Sequence, residues 1–530
     1  MIVQNTSLKM EKLSEYEELE IFKYLDVESL KQCAKSKKRW AGMIGGNTRL
    51  MNKLPLEIHS NWWAHKNELL NLKRTYNSIL LNSFNVNMFA FCETFNHNLA
   101  VIKSVEMKNV RFSQFGFSKF LNTTPNLQKL VIRENIRLTM FQLKSFGPPS
   151  DLKSLQSLEL ESGDWGYLSA LVNTQVKKLE FNCIDRDPHC ENQIDNDDGS
   201  SHFEFYCGIE RQVFKNFFES QENLESLTLA PAPLSLISYL SSFQCKYKLK
   251  KLTLDFGRHG MTRERVLNLI SFLEHHKLSL EYLNVNRVTD SLIAFIWKNL
   301  QLKELIVTGQ KQQLQAPKWL IIANHHLKTL RFGKVSCPNT KFMLKLIDIY
   351  PAIERLTIDQ LCSHKVHKVF EAFCSQLKSI RHLTVPKLIA NPKNTLAISV
   401  PSLKTLQVRE LASLKAGEQY FIDFNGIEKL AIENVKVPSF VKLIMPDVKH
   451  LKVGIYQGMV RSDFIELGEH CPKLRLLEAF DCASDYQHEE FRGNFNVIHY
   501  KSCHKKDDSR ECSYQLDVAL PNKHLMDHFE

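Results

Sequence analysis

Residues 280–285 read LEYLNV, 302–307 read LKELIV and 327–332 read LKTLRF. In each, apolar positions alternate with polar ones around a central leucine, which is the period of a short strand with one buried face. Moving toward the N-terminus, the same pattern recurs as LKKLTL from Leu249, LESLTL from Leu224, VKKLEF from Val176, LQSLEL from Leu155 and LQKLVI from Leu127. Looser copies precede these, IKSVEM from Ile102 and YNSILL from Tyr76. Moving toward the C-terminus, it continues as IERLTI from Ile353, IRHLTV from Ile380, LKTLQV from Leu403, IEKLAI from Ile427, VKHLKV from Val448 and LRLLEA from Leu474. Sixteen starts between Tyr76 and Leu474 give a mean period of about 26.5 residues, with most intervals between 21 and 31.

The connections carry a different period. Val266, Leu269, Ile270 and Leu273 fall at i, i+3, i+4, i+7, as do Met343, Leu346, Ile347 and Tyr350, and Val366, Val369, Phe370 and Phe373. That spacing predicts helices. Pro125, Pro351, Pro401, Pro446 and Pro472 each stand two residues before a repeat start, where proline stops a helix and extends the chain into the next strand. Each unit therefore reads as strand, turn, helix, return. Such a unit cannot cover its apolar layer alone, whereas stacked units share one continuous core. The expected fold class is α/β, a solenoid with a parallel inner sheet and outer helices.

Composition narrows the function. The chain has 530 residues, 43% hydrophobic and 24% charged, which excludes general disorder. It contains no GxxxxGK[ST] or GxGxxG loop, so the common nucleotide-binding turns are absent from the sequence. There is no run of 18 apolar residues, so no membrane partner is expected, and the N-terminus lacks the apolar core of a secretory signal. Thirteen cysteines, an odd number without a CxxC pair, read as reduced thiols of the cytoplasm or nucleus. A formal charge of +11 permits an acidic partner. Nucleic acid is not expected, because Arg and Lys are not clustered with interleaved aromatics.

The 48-residue gap between Val176 and Leu224 marks an insertion, acidic over about 185–208, ahead of a helical stretch from Ile209 to Asn223. Within and around it, Cys183, His189, Cys190 and Cys207 match no common zinc spacing and read as a solvated loop. His488-Glu489-Glu490 lacks the second histidine of HExxH. His275-His276 and His325-His326 end helices, where imidazole suits exposed carbonyls better than metal. Cys503-His504 lies in a polar turn or tail, and there is no RING-like cysteine array. No cofactor, metal or catalytic residue is expected, and the chain reads as a non-enzyme.

The side chains between the buried leucines should line one concave surface suited to gripping a protein. By unit they include Glu106, Val131, Glu159, Glu180, Thr228, Thr253, Asn284, Ile306, Arg331, Thr357, Thr384, Gln407, Ala431, Lys452 and Glu478. The sign changes along it, from acidic at Glu159, Glu161 and Glu180 to basic at Arg331, Arg355, Arg409 and Lys452. Target recognition is expected around Arg331, Arg355, Asp359, Gln407, Arg409 and Lys452, where arginines offer paired donors to a carboxylate or phosphate.

Residues 13–40 read LSEYEELEIFKYLDVESLKQCAKSKKRW, two short helices. Ile21 and Leu25 share a face with Phe22 beside them, Asp26 can cap the second helix, and Leu30, Cys33 and Ala34 continue the apolar spacing. A module of some 40 residues is too small to be stable with its apolar surface exposed, so it should dock on a partner, the repeats or both.

Two resemblances follow. Residues 76 to 490 resemble the leucine-rich repeat, LxxLxLxx(N/C)xL, although Val110, Val288, Val335, Leu361, Leu388, Leu411 and Val435 stand where Asn or Cys is usual. A continuous asparagine ladder is thereby ruled out, and the turns must satisfy their backbone groups otherwise. The N-terminal segment resembles the F-box, roughly LPxExxxxIFxYLDxxxLxxxxxVCKxW. Leu13, Ile21, Phe22, Tyr24, Leu25, Asp26, Leu30, Arg39 and Trp40 fall in register, with Ser14, Tyr16 and Ser36-Lys37 as departures. The expected organisation is an F-box-like module at 10–50, a linker or helical cap at 51–75, repeats at 76–490 and a C-terminal cap with a polar tail at 491–530. The resemblance implies the substrate-recognition subunit of an SCF-type ubiquitin ligase. Leu13, Ile21, Phe22, Leu25 and Leu30 would meet a Skp-type adaptor and, through it, a cullin–RING ligase, while the repeats hold an unknown protein target. A leucine-rich scaffold whose helices merely cap the first repeat is the alternative.

Overall fold

The leucine at the centre of each repeat falls into register with the next. Ile79, Val105, Leu130, Leu158, Leu179, Leu227 and Leu252 form one column, and none is more than 2% exposed. Leu283, Leu305, Leu330, Leu356, Leu383, Leu406, Leu430, Leu451 and Leu477 form a second column, equally buried. Burying each such side chain stabilises the fold by about 1.5–3 kcal/mol, so these columns are the structural spine. The computed structural model describes residues 14–519 except 52, 72–75, 84–87, 111–113, 134–151, 162–166, 183–211, 231–233, 257–261, 287, 309–325, 334–339, 360–371, 374, 391–395, 398–399, 401, 414–421, 437–444, 456–468, 481–495 and 503–513.

The chain divides into two units, Met1–His259 and Gly260–Glu530. The first holds strands β1 (Leu56–His59), β2 (Ser78–Asn82), β3 (Ser104–Lys108), β4 (Lys129–Arg133), β5 (Ser157–Glu161), β6 (Lys178–Asn182), β7 (Ser226–Leu229) and β8 (Lys251–Leu254), each parallel to the next. The second holds β9 (Tyr282–Asn286), β10 (Glu304–Thr308), β11 (Thr329–Phe332), β12 (Arg355–Ile358) and β13 (His382–Ala390). It continues with β14 (Leu396–Ala397), β15 (Thr405–Ser413), β16 (Ile422–Asp423), β17 (Lys429–Lys436), β18 (His450–Ile455), β19 (Leu476–Phe480), β20 (Asn496–Ser502) and β21 (Tyr514–Ala519). Apart from β14 and β16, which pair with each other, these strands follow in order and in parallel through β20, and β21 closes antiparallel on β20. The arrangement is α/β, with the parallel strand stacking of a leucine-rich-repeat array. Strands β1, β20 and β21 extend it beyond the sixteen repeat starts.

Helices lie against the leucine face. Phe181 of β6 meets Phe214 and Phe218 of helix 212–220, and Phe332 of β11 meets Phe342 of helix Thr340–Ile349. Helix Arg263–His276 forms where the apolar spacing predicts it, with Thr262 as its N-cap. His276 does end that helix, but it is fully buried and packs edge-on against Phe272. The prolines act in the turns. The N–H of Leu127 donates to the carbonyl of Thr124 at 3.1 Å, that of Ile353 to Tyr350 at 3.3 Å and that of Leu474 to Cys471 at 3.0 Å. Proline thus occupies the second position of a tight turn, which its fixed φ favours.

Three of the aliphatic residues at the Asn/Cys position also find their reason. Leu388, Leu411 and Val435 pair across β13, β15 and β17, whose eight or nine residues outrun the four or five of β1–β12. Ladder hydrogen bonds there satisfy the backbone that asparagine side chains would otherwise serve. On the return path of these repeats the short pair β14–β16 is present at residues where an outer helix is expected. Gly454, between the paired Val453 and Ile455, lies opposite Glu433, and a Cβ on it would come within 1.9 Å of the Glu433 carbonyl oxygen. Gly454→Ala is therefore expected to destabilise the second unit by about 2–3 kcal/mol. An unchanged denaturant midpoint would contradict this packing.

Candidate functional site

Two surfaces carry the residues singled out in the sequence. The first is the N-terminal module, helices α1 (Glu15–Tyr24), α2 (Val27–Ser36), α3 (Lys38–Gly46) and α4 (Thr48–Met51). A capping box starts α1: the Glu17 N–H donates to Ser14 Oγ at 3.3 Å, and the Ser14 N–H donates to the Glu17 carboxylate at 2.7 Å. Hydrogen bonds from Ser14 hold the Glu17 carboxyl below its usual range. Asp26 caps α2, accepting from the Ser29 N–H at 2.7 Å, which likewise lowers its pKa.

Phe22, Leu30, Ile44 and Leu50 form the module's core, with Leu19, Leu25, Cys33, Ala34, Trp40 and Met43 packed around it. Glu18, on the same face as Phe22, is 1% exposed. It accepts from Arg39 Nη2 at 3.0 Å and from Trp40 Nε1 at 3.1 Å, clamping α1 onto α3, while the Trp40 ring meets Phe22 edge-on. The sequence reading placed Arg39 and Trp40 in register but missed Glu18, their buried partner.

Of the five residues expected at the adaptor, Leu13 lies outside the described residues. Phe22 and Leu30 have no accessible surface, because they fill the module's own core. Ile21 is 40% exposed and Leu25 half-buried. The solvent side of α1 also presents Tyr16 and Tyr24, 72% and 87% exposed. Lys31 of α2 pairs with Glu57 of β1, and Lys53 donates to the Leu25 carbonyl at 3.2 Å.

The second surface is the face of each sheet opposite the leucines. The residues expected outward do share one row per unit. Glu106, Val131, Glu159, Glu180, Thr228 and Thr253 align in the first. Asn284, Ile306, Arg331, Thr357, Thr384, Gln407, Ala431, Lys452 and Glu478 align in the second. Val131 departs from expectation in being buried. Arg133 spans the strand that carries it, reaching Glu106 at 3.3 Å and Glu159 at 3.1 Å.

In the second unit the expected target residues separate into two kinds. Asp359, just past β12, is 4% exposed. Its carboxylate takes Arg409 Nη2 at 2.9 Å and Arg331 Nη2 at 3.9 Å, and Arg409 Nη1 also donates to its carbonyl at 3.2 Å. The register puts Pro386 opposite Arg409 and Glu433 on Arg409's other side. The short proline ring leaves Arg409 free to reach across β13 to Asp359. Glu433 approaches Arg409 at 3.8 Å and accepts from Gln407 Nε2 at 2.8 Å. Asp359, Arg409, Gln407 and Glu433 are thus knit together.

Lys452 stands apart, 3.7 Å from Glu478, which also takes His450 at 2.7 Å. Arg331 and Arg355 keep solvent-exposed side chains. His382, beside Arg355, escaped the sequence reading, although its place two residues before an outward threonine could have revealed it. Burial, and then the charges of Arg355, Arg381 and Lys429, holds its imidazole below the usual pKa.

Among the described residues no group of three or more His, Cys, Asp or Glu could hold a metal ion, and no helix is long and apolar enough to cross a membrane. Burial pushes the thiols of Cys92 and Cys245 up to about 11 and that of Cys471 up to about 12, so all three are protonated packing groups at neutral pH. The zinc candidates Cys183, His189, Cys190 and Cys207, together with His325, His488 and Cys503-His504, lie outside the described residues.

No family model matches this chain, and no curated protein does. Among solved structures, a chain of the crystal structure of the Rad7 and Elc1 complex in yeast is similar at 14% identity with a TM-score of 0.34, the match covering 94% of this chain and 98% of that one.

Proposed function

We propose that this chain is a non-catalytic substrate-recognition subunit of an SCF-type ubiquitin ligase. The N-terminal helices take a Skp-type adaptor, and the repeat stack holds a target protein for ubiquitination and proteasomal degradation. The subunit's work is proximity: it keeps the target's lysines near the ubiquitin-loaded enzyme and so raises their effective concentration. The observation that carries this reading is the solvent side of α1. Ile21 and Tyr24 remain exposed on a module whose core is already complete without them, which is how a docking face differs from a packing face.

Co-expression of the full chain with a Skp-type adaptor and a cullin tests it. Both should co-purify with the parent chain. Ile21→Asp with Tyr24→Asp should reduce recovery by ~100-fold or more, since each anchor is worth ~2 kcal/mol. Both side chains face solvent, so the variant's melting temperature should match the parent's. Undiminished recovery of the adaptor by the folded variant would sink the reading.

The Lys31–Glu57 pair and the Lys53 contacts favour a second reading, in which the helices serve as an end cap of the sheet. In that case Glu57→Lys lowers the melting temperature while no adaptor is recovered with either chain.

A further inference from the structure

The first three helices of the N-terminal module do not start alike. Helix α1 begins with Ser14 as its cap and Glu15, Glu17 and Glu18 in its first turn, and α2 begins with Asp26 and Glu28. Both starts suit a helix N-terminus, which carries partial positive charge. Helix α3 breaks the rule. Lys37 stands at its N-cap without a side-chain cap bond, Lys38 and Arg39 follow, and the first turn holds no carboxylate. Lys35 lies just before them in the last turn of α2, so four cations fall within five residues at the α2–α3 junction. Arg39 is matched, 3.0 Å from Glu18 and 3.9 Å from Glu15, and Lys37 lies 4.7 Å over the Trp40 ring. Lys35 and Lys38 are exposed, and among the described residues neither has an ion-pair partner. The charge of Lys38 opposes the α3 dipole and gains nothing inside the module. A local rule broken without an internal gain marks a surface kept for function.

We propose that this junction is an electrostatic steering surface for a partner whose approaching face is acidic, the adaptor that docks on α1. The inference rests on the reading of α1 as the adaptor face and adds how the adaptor is brought to it. The contacts of Arg39 with Glu15 and Glu18 place the junction at the start of α1, the end that carries the exposed Tyr16. Lysines there act through their field over about 8 Å at physiological salt, ahead of contact, so the acidic face need not be buried against them. Such charges change the rate of association and its salt dependence more than the lifetime of the complex. A nucleic acid suits the junction less. A polyanion laid along the module would meet Glu15 and Glu17 in the first turn of α1, against the continuous neutralisation it needs.

The test measures association and dissociation rates of the full chain on immobilised, purified adaptor at about 50 and about 300 mM salt, which brackets the physiological screening length. The parent chain should associate about fivefold or more faster at the lower salt. Lys35→Gln with Lys38→Glu should cut that association about tenfold, flatten its salt dependence and leave dissociation within about twofold. Lys38→Glu alone adds a second readout, because glutamate suits the start of a helix. Hydrogen exchange across α3 should slow about two- to fivefold while association falls about threefold. Association of either folded variant at the parent's rate, a parent rate indifferent to salt, or a loss carried by dissociation would overturn the proposal. So would faster α3 exchange in Lys38→Glu, or tighter capture of the chain by an immobilised single-stranded oligonucleotide than by the adaptor. Unchanged rates overturn steering alone and leave the docking reading standing, whereas no association of the parent chain overturns both.

Discussion

Arg409→Ala is expected to lower the stability of the second unit by about 2–4 kcal/mol, read as a fall in its denaturation midpoint. The substitution strips the nearest cation from Asp359, whose side chain is 3% exposed, and leaves only Arg331 at 3.9 Å. Breaking a buried pair on one side costs ~3–5 kcal/mol because the remaining charge is stranded. The lower figure reflects Arg409's own exposure, about a quarter of its side chain. Asp359→Leu with Arg409→Met should recover much of the loss, since apolar groups of similar volume replace a buried pair at little cost. A double variant no more stable than Arg409→Ala would show that packing across Pro386, rather than charge, sets the local stability.

Phe22→Ala should unfold the N-terminal module without melting the repeats. Removing a fully buried phenylalanine costs ~3–5 kcal/mol, and Phe22 stands at the centre of a four-residue core with Leu30, Ile44 and Leu50. A module this small has little stability beyond that. Hydrogen exchange should rise across α1–α3 together and stay unchanged in β2–β8. The outcome separates two roles for the same residue. A contact residue would lose adaptor binding with normal exchange; a core residue loses both. Retained protection of α1–α3 would place Phe22 outside the core.

The parallel sheet was readable in the sequence because its signal is repeated. Any one LxxLxL could be a strand or a turn of helix, but sixteen in near-constant phase leave only a stack whose leucines share a column. The open-face row was readable for the same reason, since side chains alternate strictly along a strand. What the pattern could not reveal was lateral. Val131 belongs to the outward row yet is buried, because Arg133, two residues on, pairs with glutamates on both neighbouring strands. Asp359 and Arg409, both charged, read as exposed, whereas Pro386 between them lets the two side chains meet. Such contacts depend on residues about 25 positions away per strand crossed, and no local period encodes them. In the module the error ran the other way. Phe22 and Ile21 are adjacent apolar residues on one helix, and only the position of α3, fixed by Glu18 with Arg39 and Trp40, decides which of them faces in.

Whether α1 and its flank form the docking face for a Skp-type adaptor is decided by hydrogen exchange of the full chain with and without purified adaptor. Added protection is expected only in the peptides spanning residues 15–27, lost in the Ile21→Asp, Tyr24→Asp variant, with β9–β19 unchanged. No added protection anywhere, or protection restricted to the strands, would contradict it.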